Sequence, residues 1–65
     1  MSLDTYKNAL ADEIASFETI KERQEMEAER AHWKERPHAL AAVMHSEGAI
    51  LGLQRALELV HLIEE

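Results

Sequence analysis

Apolar residues recur along the first half of the chain at the spacing of one helical face. Leu3, Tyr6, Leu10, Ile14 and Phe17 follow one another at steps of three or four, which places them on one side of an α-helix. Glu13 and Ile20 border this stripe, and the same face continues as Lys21, Gln24, Ala28 and Ala31. It begins strongly apolar and becomes polar or small. Ser2 is positioned as an N-cap, and Asp4 falls in the first turn, where negative charge suits the helix dipole.

Pro37 is the only proline. It lacks an N–H and disfavours helical geometry at Arg36, yet it suits the first turn of a new helix. The pattern therefore predicts a first helix over about 3–35, a bend at about 35–37 and a second helix over about 37–64. Two long helices with a short link predict an all-α fold, an antiparallel helical hairpin forming one domain over residues 1–65. The first helix lacks a glycine C-cap, so an open form with helices exchanged between subunits is the alternative arrangement.

The second helix has a wider apolar surface: Ala42, Ala49, Leu53, Ala56, Leu57, Leu59, Val60, Leu62 and Ile63. One partner helix covers only part of that arc. The expectation is a homodimer or higher oligomer, most simply a four-helix bundle. In outline this resembles the small helical-hairpin dimers, a likeness of shape that carries no function with it.

Both glycines of the chain, Gly48 and Gly52, lie inside this second helix, where each costs roughly 1 kcal/mol relative to alanine. Ala41, His45, Gly48, Gly52 and Ala56 form one small-residue stripe. In a hairpin bent near Pro37, Gly52 falls opposite Lys21, Ala56 opposite Phe17 and Gly48 near Gln24. The expectation is a close helix crossing at Gly48, Gly52 and Ala56, with His45 buried and neutral beside it; a cleft admitting a ligand or partner is the alternative for the glycines.

Composition narrows the function classes. A chain of 65 residues with no cysteine has neither disulfides nor thiolate metal sites, so self-association is the expected source of added stability. Cysteine absence also suits a reducing cytoplasm, the expected location. The start "MSLDTYKN" has no signal-peptide pattern, and the apolar runs are too short to span a bilayer. A formal net charge of -6 argues against loose binding to nucleic acid or an anionic membrane.

Candidate chemistry is sparse. Glu29 with His32, and Glu58 with His61, have the Glu-x-x-His spacing that lets two side chains share a metal, as in carboxylate-bridged bundles. Glu13 falls at the level of the second pair, which makes Glu13, Glu58 and His61 the candidate metal ligands. Glu18, Glu22, Glu25 and Glu29 form an acidic line along the first helix, read as a solvated face or as a dock for a basic partner. No nucleophile–base pair or phosphate-binding glycine loop is present, so neither catalysis nor a cofactor is expected.

Near the bend, Met26 and Trp33 stand off the stripe, and Leu40, Met44 and Leu51 share one flank of the second helix. Trp33, Leu40 and Met44, with Arg36 at the rim, are the candidate partner-binding residues. The leading expectation is a small cytoplasmic homo-oligomeric adaptor or inhibitor that binds another protein. The first rival is an RNA- or nucleotide-binding dimer using Lys7, Lys21, Arg23, Arg30, Lys34 and Arg36. The second is a carboxylate–histidine metal-binding bundle.

Overall fold

The computed structural model describes residues 2–64. Two helices, α1 (Leu3–Arg30) and α2 (Arg36–Glu64), pack along their length as a hairpin measuring 48 × 15 × 14 Å. The start of α1 follows the sequence: Ser2 caps it, its Oγ accepting the Thr5 N–H at 3.1 Å, and Asp4 sits in the first turn.

The reversal lies earlier than the proline suggested. α1 ends at Arg30, and Ala31 is extended (φ -68, ψ 143) with its N–H donating to the Ala28 carbonyl at 3.3 Å. The His32 carbonyl then accepts the N–H groups of Glu35 (2.8 Å) and Arg36 (3.0 Å), and the Ala39 N–H reaches the Glu35 carbonyl at 3.0 Å. Helix axes about 8–10 Å apart cannot be joined by a bend at 35–37 alone. Residues 31–35 make the crossing instead. Arg36 is helical despite preceding Pro37, held by its bond to His32.

The seam between the helices is two interlocking three–four repeats. On α1 it is Lys7, Leu10, Ile14, Phe17, Lys21, Gln24 and Ala28, followed by the C-cap Ala31, all buried or half-buried. On α2 it is Ala39, Val43, Ser46, Ile50, Leu53, Leu57 and Val60. This is the spacing of a coiled-coil seam. Leu10, Ala28, Val43, Ile50 and Val60 are its most buried apolar members. Ala42, Ala49 and Ala56 are half-buried on one side of the α2 row, where small side chains let the helices lie close.

Polar contacts fix the register. Ser46, the most buried residue at 2% exposure, donates its hydroxyl to Gln24 Oε1 at 2.6 Å. Lys7 Nζ lies 2.9 Å from Glu64 Oε1, and Lys21 Nζ lies 3.5 Å from Glu47 Oε1. Buried polar groups need partners, and a seam that supplies them at one alignment disfavours its slipped alternatives. The hydrogen bond to Glu64 raises the Lys7 pKa above its ordinary 10.5. The pair's contribution to stability is therefore complete below that value and is lost as pH climbs through the raised pKa.

The glycine stripe does not face α1. Gly48 and Gly52 are exposed, and a Cβ built on either meets no atom within 4 Å. Gly48 and Gly52 are thus not at the crossing within the hairpin, and Ala56 only borders the seam. His45 is likewise exposed rather than buried. The row that faces α1 contains Val43, Ser46 and Ile50 in place of His45, Gly48 and Gly52. Turning the large side chains inward buries more apolar area than turning the small ones would.

Candidate functional site

The hairpin leaves much apolar surface uncovered. Its elongated shape, 48 × 15 × 14 Å, exposes 5105 Å² in all, above the ~4,200 Å² expected of a compact monomer of 7.4 kDa, and ten large apolar side chains among the described residues share in that exposure. The exposed large apolar side chains fall mostly toward its two ends. Leu3, Tyr6, Leu59, Leu62 and Ile63 lie at the open end, Met26, Trp33, Leu40 and Met44 lie toward the turn, and Leu51 lies at the middle. The excess of the α2 arc over one partner helix is thus present as Leu59, Leu62 and Ile63.

At the turn end a cleft of about 640 Å³ opens on one flank of the seam. The wall from α1 is Glu25, Ala28 and Glu29; the wall from α2 is Arg36, Leu40, Val43, Met44 and Glu47. Its depth comes from the seam itself, where α1 presents only the methyl of Ala28 opposite Val43. The same flank continues toward the middle of the hairpin in two smaller depressions, one with Glu18, Glu22 and Gln54 and one with Leu51, which share Lys21 and Ile50. Together they make a groove from Arg36 to Gln54, about 27 Å along α2 at 1.5 Å per residue.

Three of the four candidate partner-binding residues, Arg36, Leu40 and Met44, therefore line one cleft. Trp33 does not line it. Its ring stands on the turn, 69% exposed, with the His32 ring at 5.7 Å and the Lys34 ammonium 5.5 Å above it. The Lys34 N–H also donates to His32 Nδ1 at 3.3 Å. The turn is thus locally ordered, and Trp33 extends the apolar end of the hairpin beyond the cleft. Sequence reasoning left Glu25, Glu29 and Val43 out of the site. The signal for them is the seam repeat, which sets which residues of α1 flank Leu40 and Met44.

The other candidates stay apart. Glu13, Glu58 and His61 are all exposed, and among the described residues no three His, Asp or Glu side chains converge on a metal-sized space. Counted from the seam, Glu13 and Glu58 fall on opposite flanks of the hairpin, and Glu58 lies 3.5 Å from Arg55 instead. Of the basic residues, Lys7 is held by Asp4 and Glu64 and Lys21 by Glu47. No helix among the described residues is long and apolar enough to cross a membrane. The chain matches no protein-family model, no curated protein and no solved structure.

Proposed function

We propose that this chain is a small homo-oligomeric binding module, an adaptor or inhibitor without catalytic activity, that captures another protein at the turn end of the hairpin in the cytoplasm. The observation that carries this reading is the cleft beside the turn. Leu40 and Met44 are 48% and 69% exposed there, although the α2 seam is fully supplied without them. Large apolar groups left beside a concavity are what a partner's anchor residues fill.

Capture of a partner from host lysate tests it. Leu40→Ala/Met44→Ala keeps good helix formers in place. It is expected to leave the melting temperature nearly unchanged and to weaken capture by roughly tenfold or more, since an interface residue that matters contributes at least about 1 kcal/mol. Trp33→Ala is expected to act in the same direction more weakly. Undiminished capture by the double variant would remove the cleft from the reading.

Self-association is assigned to the open end. Leu59, Leu62 and Ile63 are 46%, 64% and 74% exposed on consecutive turns of α2, and Leu3 and Tyr6 of α1 lie at the same end. Sedimentation at micromolar concentration is expected to give at least a dimer, and Leu59→Lys/Ile63→Lys is expected to give a monomer. A folded monomer for the unaltered chain would refute the oligomer.

A further inference from the structure

The groove from Arg36 to Gln54 has walls of different chemistry, and the difference specifies its occupant. Along α1 run Glu18, Glu22, Glu25 and Glu29, at steps of four, three and four. All four line the groove and its extension. None lies within ion-pair distance of a cation among the described residues; the carboxylates that do are Asp4, Glu47, Glu58 and Glu64. Like charges at this spacing repel and weaken the helix by a few tenths of a kcal/mol per pair. Across from them, α2 presents Leu40, Met44 and Leu51, all exposed. One wall thus carries four carboxylates without an ion-pair partner, against the two cations Lys21 (held by Glu47) and Arg36 that also line the groove, and the other wall carries uncovered apolar surface.

We infer that this groove binds a cationic amphipathic helix of another protein, its apolar side chains set on Leu40, Met44 and Leu51 and its lysines or arginines along Glu18, Glu22, Glu25 and Glu29. This rests on the binding role proposed for the cleft and names the chemistry of its partner. The acidic row spans about 16 Å, or three helical turns, so a helix of about four turns covers it. Helix-in-groove recognition takes its affinity from apolar anchors spaced three and four residues apart. Charge on the rim sets orientation and on-rate.

The chain's own surfaces fit the groove poorly. The exposed apolar end of α2 is flanked by Glu58 and Glu64, which the acidic wall repels. The basic outer side of α1, Arg23 and Arg30, carries one large apolar residue, Met26. A phosphate backbone or an anionic bilayer meets the same repulsion.

The test uses three labelled synthetic peptides, each about four turns long, titrated with the full chain and read by fluorescence anisotropy. The first has a leucine face with lysines on its flanks; the second has glutamates in place of the lysines; the third has the first peptide's composition scrambled so that leucine encircles the helix. The first is expected to bind, more weakly as salt rises. The variant Glu22→Gln/Glu25→Gln/Glu29→Gln is expected to bind it about tenfold less tightly. Asp12→Asn/Glu13→Gln/Glu27→Gln, the same change in net charge off the groove, is expected to bind it as the unaltered chain does. Because the first variant relieves repulsion within α1, it stays folded.

Equal binding of the glutamate peptide would overturn the cationic partner while leaving an apolar docking site. Equal binding of the scrambled peptide, or equal loss in both charge variants, would reduce the effect to diffuse attraction and overturn the groove as its seat. No binding of the first peptide would overturn the proposed occupant, while the lysate experiment above still decides whether the cleft binds any protein. Loss of the oligomer in Leu40→Ala/Met44→Ala would show a second copy in the groove and overturn a foreign helix there.

Discussion

Replacing Gly48 and Gly52 together by alanine is expected to raise the melting temperature by roughly 10 °C. Glycine in a helix interior costs about 1 kcal/mol relative to alanine, because it gives up the most backbone freedom on folding. That cost is accepted where a side chain has no room or where φ is positive. Neither holds here: both positions have open space within 4 Å of the missing Cβ, and no glycine has a positive φ. Two independent sites sum to about 2 kcal/mol, and a domain this small shifts by about 4–8 °C per kcal/mol. A thermal melt followed by circular dichroism checks it. A lower midpoint for the double variant would show that a second copy packs against the glycine side of α2, a contact that the hairpin alone does not contain.

The same glycines show where reading the sequence succeeded and where it did not. The first helix was legible because its apolar residues are large, regularly spaced and confined to one side. Leu10, Ile14 and Phe17 all lie in the seam. The second helix offers two rows at helical spacing, one of small residues and one through Val43, Ser46, Ile50, Leu53, Leu57 and Val60. Ser46 interrupts the second row as His45 interrupts the first, so spacing alone does not choose between them. What decides between them is the facing helix. Gln24 lies in the α1 stripe and needs a polar neighbour, and Ser46 supplies it at 2.6 Å. A hydroxyl in one apolar row opposite an amide in the other is the signal that would have oriented α2.

The turn was misplaced for a related reason. Proline marks where a helix can start, and it does sit in the first turn of α2. It says nothing about how many residues the chain spends crossing from one axis to the other. Ala31 and Ala39, the small seam residues flanking the crossing, are the sequence features that let the helices close together beside 31–35. The site was legible in part because Leu40 and Met44 are too large and too apolar for the flank they occupy. Its acidic wall was legible as a line of charge, but only the register places that line across from them.

That orientation of α2 also makes Ile50 and Leu51 opposites, although they are neighbours in sequence and alike in size. Ile50 is 8% exposed in the seam, and Leu51 is 66% exposed on the groove flank. Ile50→Ala removes three carbons from the packed middle of the hairpin, at the level of Lys21 and next to the Ser46–Gln24 bond. Such truncations cost about 2–5 kcal/mol. A chain of this length has about 3–10 kcal/mol of stability in total. The variant is therefore expected to melt far below the unaltered protein or to be unfolded at room temperature. Leu51→Ala removes a side chain that the fold barely uses and inserts the best helix former. Its melting temperature is expected to stay within a few degrees, while binding of the lysine–leucine peptide weakens. Circular dichroism melts of the two variants, with peptide anisotropy on whichever remains folded, distinguish core from binding surface one residue apart. If Leu51→Ala proved the more damaging to stability, α2 would be turned by about 100° from its place here, and the groove would lie inside the hairpin instead of on its flank.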